Sequence, residues 1–268
     1  MLAKLLFCTA VACALLACAG SGGGNGGPGA QAPERQSEAE YDVARDLWLK
    51  RQQPREALDH ALKAVELDDE NAEAAHLAAL IYLGFCSRGP SDCRLSEAER
   101  HARRAVQLKP DFREAKNTLA VVLIHEKRAA EAVKVLLPLT QDILYQTPEN
   151  AWGNLGWAYL ELGKTDEAID ALRRSIAAQP LFCVGNLRLG LAYERKSEPA
   201  PARDAFTQAL ETQAPGCNEL QEAFAGRARA SMKLGDGDAA RADLEHCIGL
   251  TKNTPIGKEC GAMLGKLK

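Results

Sequence analysis

The residues of this 268-residue chain best suited to chemistry are nine cysteines and five histidines. Thiols attack, ligate metals or cross-link, and their spacing indicates which. No C-x-x-C pair occurs, and His60, His76, His101, His125 and His246 form no H-E-x-x-H or other paired ligand spacing, so a metal centre is not expected. A G-x-S-x-G elbow and a Walker glycine loop are both missing, and the carboxylates are dispersed as on solvated helix faces. Gly22, Gly24 and Gly27 satisfy G-x-G-x-x-G, but no strand precedes them and no helix opens there, so the match lacks the context that phosphate binding requires. The expectation is a protein that is not an enzyme and has no cofactor, metal or small-molecule substrate. Cross-linking is the thiol chemistry that remains.

Three of the cysteines lie at the N-terminus. One charge at Lys4 precedes an apolar run from Leu5 to Leu16, and the segment ends Leu15-Leu16-Ala17-Cys18. The run falls short of the roughly 20 residues that cross a bilayer, so it reads as a secretory signal and not as a permanent anchor. Its ending resembles a bacterial lipobox, which implies removal of residues 1–17 and acylation of Cys18. Ala19 in place of an aspartate then favours the outer membrane. From Gly20 to Gln36 the chain is dense in glycine, with Pro28 and Pro33, and cannot bury enough surface to fold, so residues 18–36 are expected to form a tether. The composition is 46% hydrophobic, 26% charged and 5% aromatic, with 33 basic and 36 acidic residues giving a net charge of -3. Without a basic stripe, nucleic acid is not an expected partner.

Residues 37–268 carry the elements. Between Trp152 and Pro180, Trp152, Leu155, Gly156 and Tyr159 share one helical face, Gly163 marks a turn, and Ala168 and Leu172 follow at helical spacing before Pro180. Small residues at 156 and 168 let two helices approach closely, and the proline stops the second. This pattern resembles a tetratricopeptide repeat (TPR) unit. It recurs 34 residues later at Leu189, Gly190, Tyr193, Ala202 and Phe206. A single pair cannot bury its own apolar face, so the resemblance implies an all-α TPR solenoid of about six helix-turn-helix repeats.

The first pair is expected at Glu38 to Lys50 and Pro54 to Leu67. In the second pair, Ala78 and Ala98 are 20 residues apart where Gly156 and Ala168 are 12 apart, so Cys86 to Cys93 reads as a loop with a cysteine at each foot. Pro138 is expected to bend the second helix of the third pair. Ile256, Cys260, Met263, Leu264 and Leu267 form the face of a capping helix at the C-terminus. With Cys8 and Cys13 removed and Cys18 acylated, six cysteines remain, which allow 15 pairings. Cys86 and Cys93 are local. Cys183 and Cys217 fall at one end of the same hairpin, and Cys247 with Cys260 would staple the cap, although these could also be reduced, buried thiols.

Beyond the repeats, Tyr145-Gln-Thr-Pro-Glu-Asn-Ala-Trp-Gly-Asn-Leu-Gly, together with the lipobox and tether, resembles the PilF/PilW/Tgl family of type IV pilus lipoproteins, most of all the Tgl branch. That resemblance implies a pilotin: a lipid anchor at the periplasmic face of the outer membrane and a groove that binds pilus secretin subunits and promotes their assembly. The concave side of TPR units is lined by first-helix positions. Carried over, these are Asn117, Val121, Ile124, Asn150, Trp157, Leu160, Val184, Leu187 and Leu191, with Trp157 as the anchor candidate. The competing expectation is a periplasmic scaffold that recruits cell-wall enzymes through a similar groove. Acyl chains must supply the anchoring that so short an apolar segment cannot. Cys18→Ala is therefore expected to leave unprocessed protein and to remove it from the outer-membrane fraction. Unchanged fractionation with normal acyl labelling would exclude Cys18 as the lipid site.

Overall fold

The structure, a computed structural model, describes residues 32–86 and 92–267. The signal segment, Cys18 and most of the tether lie outside the described residues. Six helix pairs follow one another: α1 (Pro33–Leu49) and α2 (Pro54–Leu67), α3 (Ala72–Cys86) and α4 (Leu95–Leu108), α5 (Arg113–His125) and α6 (Ala129–Leu139), α7 (Pro148–Glu161) and α8 (Thr165–Ala178), α9 (Cys183–Arg195) and α10 (Pro199–Glu211), α11 (Gln221–Lys233) and α12 (Gly237–Leu250). A thirteenth helix, α13 (Pro255–Leu264), closes the array. No strand occurs among the described residues.

Within four of the pairs the turn follows one design. Lys127, Gly163, Ser197 and Gly235 take φ of 62, 73, 61 and 80°. In each case the next residue returns its N–H to the carbonyl five back, as Lys164 does to Tyr159 at 2.9 Å and Arg128 to Leu123 at 2.8 Å. This is the Schellman arrangement, which satisfies the orphan carbonyls of the first helix and reverses the chain. Glycine suits the left-handed residue at 163 and 235, whereas Lys127 and Ser197 adopt it at a cost on the order of 1 kcal/mol.

Each helix packs on its pair partner and on the helix that follows, and first helices also touch the first helix of the next pair. α1, α3, α5, α7, α9 and α11 thus form one row, which sets the side on which their remaining faces meet. The contacts are close. A Cβ added at Gly156 would lie 2.5 Å from Leu172 Cγ, and one at Gly190 would lie 2.5 Å from Phe206 Cε1. Gly226, from the following pair, presses the same ring, so Phe206 is fully buried between two glycines of successive first helices.

Three disulfides join Cys86 to Cys93, Cys183 to Cys217 and Cys247 to Cys260, with Cα separations of 4.1, 5.8 and 6.4 Å. Cys183 opens α9, and Cys217 opens a short 3-10 turn after α10. At the C-terminus the side chain of Thr254 caps α13 by accepting the Gly257 N–H at 2.9 Å. Ile256, Met263, Leu264 and Leu267 then cover the end of the core.

Two local expectations are corrected. The tether does not run to Gln36, because α1 already starts at Pro33: proline needs no N–H partner in a first turn, and Ser37 Oγ ties the segment to α2 by donating to Ala64 O at 2.8 Å. Nor does Pro138 bend a continuing helix, because α6 stops at Leu139. The connection to α7 is held by buried Tyr145 and by the Arg113–Asp142 ion pair at 2.7 Å, and it leaves Ile143 95% exposed.

The glycine contacts yield a test. Gly190→Ala gains up to about 1 kcal/mol of helix propensity but forces a methyl into the Phe206 ring, and overpacking of this kind costs about 1 to 3 kcal/mol. A net loss of stability is expected in urea denaturation. Combining it with Phe206→Leu should cost less than the sum of the two single changes, and strict additivity would show that the ring is not what glycine accommodates.

Candidate groove on the first helices

The first helices α7, α9 and α11 border a cavity of about 460 Å³. Trp157, Leu160, Val184, Leu187 and Leu191 supply its apolar lining, and Glu161, Arg188, Glu194, Arg195 and Glu222 its charges. Helical spacing explains the set: 157, 160 and 161 lie on one face of α7, and 184, 187, 188, 191, 194 and 195 on one face of α9.

The expected groove residues separate into three groups. Trp157, Val184 and Leu191 are partly buried and line the cavity. Leu160 and Leu187 line it too but are only 3% and 7% exposed, so they act as its floor and double as inter-repeat core. Asn117, Val121, Ile124 and Asn150 are not part of this lining. Ile124 is a correction, since at 1% exposure it belongs to the core that joins the second to the fourth pair and cannot offer a contact surface. Packing among the second, third and fourth pairs buries one of the three positions carried over for α5, and Asn150 sits in the first turn of α7, outside the cavity lining.

A polar row runs under the groove. Asn154 Nδ2 donates to Asn117 Oδ1 at 2.9 Å, and Arg188 Nη1 donates to Asn154 Oδ1 at 2.9 Å, which links α5, α7 and α9. The Arg188 guanidinium lies over the Trp157 ring, 4.8 Å from its centroid, and His125 meets the same ring edge-on at 5.0 Å. Trp157 is therefore held by a cation on one side and an imidazole on another, a restrained aromatic of the kind that anchors a partner at little entropic cost. Loss of hydration pushes Arg188 down to about 10, opposed by Glu222, so the group stays charged at neutral pH. The imidazole of His125 is held below its usual pKa by desolvation, then by Lys127 and Arg188, against the pull of Glu161.

Three other charges of the wall, Glu161, Glu194 and Arg195, are paired. Glu161 meets Lys127 at 3.0 Å and Arg195 at 3.7 Å, while Arg229 grips Glu194 with two hydrogen bonds and reaches Glu259 at 2.9 Å. Among the described residues there is no group of His, Cys, Asp or Glu placed to hold a metal ion. No described helix is long and apolar enough to cross a membrane.

Against this geometry, the tetratricopeptide repeat model matches residues 149–180, which hold α7 and α8. Among solved structures, PilW, a widely conserved type IV pilus biogenesis factor, aligns with a TM-score of 0.69 at 22% identity over 83% of this chain and 97% of its own. The fold is an all-α tetratricopeptide-repeat solenoid. PilF of Pseudomonas aeruginosa aligns with a TM-score of 0.65 at 19% identity, covering 87% of this chain and 100% of PilF. A tetratricopeptide repeat protein from Parabacteroides merdae gives 0.67 at 14% identity, covering 86% and 83%. A sequence search of curated proteins finds no match. Solenoids of this type present extended surfaces for protein partners.

Sequence reading missed Asn154, Arg188 and Glu222 as members of the site. A signal was present: Arg188 stands 34 residues after Asn154 in the otherwise apolar run Leu187-Arg188-Leu189. Because Asn154 is 7% exposed and serves both neighbours, Asn154→Ala leaves Asn117 and Arg188 short of partners. A loss of about 1 to 3 kcal/mol is expected in urea unfolding, and a change within about 0.5 kcal/mol of zero would deny the row a structural role.

Proposed function

We propose that this chain is a lipid-anchored type IV pilus factor of the PilF/PilW/Tgl kind, which sits at the periplasmic face of the outer membrane and binds pilus secretin subunits in the Trp157 groove. Bound there, the subunits are gathered for assembly into a multimeric channel. Cys18 carries the anchor in this reading, and the glycine-rich segment gives the array reach. Confinement at a membrane raises the effective concentration of bound subunits without any new contact.

The observation that carries the reading is the cavity itself: a restrained tryptophan above an aliphatic floor, open between three successive first helices. Buried aromatics in such settings dominate the energy of protein interfaces. The likeness to PilW and PilF supports the pilus assignment, since it spans 97% and 100% of those chains.

Trp157→Ala decides between partner site and core. Removing an interface anchor costs on the order of 2 kcal/mol or more of binding, whereas removing a core tryptophan costs about 3 to 5 kcal/mol of stability. The variant is expected to melt near the native temperature and to fail to support secretin multimers on semi-denaturing gels. Normal multimers from a folded variant would reject the groove. If a cell-wall enzyme also disappeared from the pull-down of that variant, the assignment would move to a scaffold.

A further inference from the structure

Two charged side chains, Arg188 and Glu222, face the Trp157 cavity with no opposite charge in contact among the described residues, although each attracts the other. Arg188 spends one N–H on the Asn154 amide and one face on the indole, and no carboxylate lies in contact with it. A guanidinium has five N–H donors, so most of them are uncommitted, and a neutral amide does not balance its charge. Glu222, at the start of α11, accepts no hydrogen bond and meets no cation in contact. The surrounding walls strip part of its hydration and push its carboxyl above the usual carboxylate range, against the pull of Arg229 and Arg188. The remaining wall charges, Glu161, Glu194 and Arg195, are already paired.

This mixture of signs restricts the occupant. An anionic headgroup or a uniformly acidic segment would gain Arg188 but meet three wall carboxylates, and a uniformly basic segment would gain Glu222 but meet Arg188 and Arg195. Between these charges the cavity offers Val184, Leu187 and Leu191, which only apolar groups satisfy. We infer that the groove binds an extended protein segment with a short aliphatic stretch flanked by one acidic and one basic side chain, the acid pairing with Arg188 and the base with Glu222. The inference rests on the reading of this cavity as the partner groove and adds the chemistry of what enters it.

The test uses the chain with fluorescent, end-blocked synthetic peptides in which one Asp and one Lys are separated by about two to five Leu or Val residues, at roughly 3.3 Å per residue when extended. Anisotropy should show binding for at least one spacing. On the native protein, changing the peptide Asp to Asn should weaken binding about tenfold, as should changing its Lys to Gln. On Arg188→Gln the Asp change should no longer matter while the Lys change still does, and on Glu222→Gln the reverse should hold. The dependence that each variant retains shows that it is folded, and Arg188→Lys should keep part of the Asp effect. The proposal is overturned if no peptide of the series binds the native chain, or if the Asp change costs as much on Arg188→Gln as on the native protein. Loss of secretin assembly on Trp157→Ala together with charge-independent peptide binding would sink this inference and leave the groove assignment standing. Charge-dependent binding with normal secretin assembly on Trp157→Ala would do the opposite.

Discussion

The structure depends on how closely successive helices approach. Leu172 fits against Gly156, and Phe206 fits between Gly190 and Gly226, with no space for even a methyl group at those glycines. The rest of the contact surface is largely alanine, as at Ala168, Ala202, Ala205 and Ala209, all buried. Small residues cost some helix propensity where they are glycine, yet they let large neighbours be enclosed completely, and tight packing of this kind is what an array without a central core must rely on.

Polar ties at the repeat spacing complement that packing. Asn71 donates to Ser37, Lys127 pairs with Glu161, Arg188 donates to Asn154 and Arg229 grips Glu194, at separations of 34, 34, 34 and 35 residues. Each links a first helix or its edge to the equivalent region of the next pair. Most are half-buried, where a hydrogen bond satisfies groups that water no longer reaches. The same ties fix the relative placement of α7 and α9, and so the width of the groove. The groove is thus a product of the inter-repeat contacts and not of any one repeat.

That origin explains its mixed character. Leu160 and Leu187 are core residues that show one edge to the cavity, while Trp157 is partly buried because Arg188 and His125 pack its faces. An aromatic held in this way keeps contact area available without losing much freedom on binding. Arg188 and Glu222, with no ion pair among the described residues, are then a departure from the other charges of the groove wall, which are paired, and departures of this type concentrate at functional places.

Much of this was legible in the chain itself. The 34-residue recurrence of Gly156 and Gly190, with Leu155 and Leu189 beside them, determined helix pairs and their order, because helical periodicity and small-residue positions are local properties; the loop expected between Cys86 and Cys93 lies largely outside the described residues. The turns at Gly163 and Gly235 were equally local. What the tertiary structure alone decided was exposure. Ile124, Leu160 and Trp157 were all expected on the groove, yet Ile124 is buried, Leu160 floors a cavity and Trp157 lines it, because the packing of neighbouring helices, and not the spacing within one helix, sets which faces close. Likewise the 34-residue spacing of Asn154 and Arg188 hints at a tie but does not form one, and nothing in the sequence leaves Glu222 with no cation in contact among the described residues. Those relations arise only when three repeats stack, since a hydrogen bond or a missing counter-charge is a property of distances between elements.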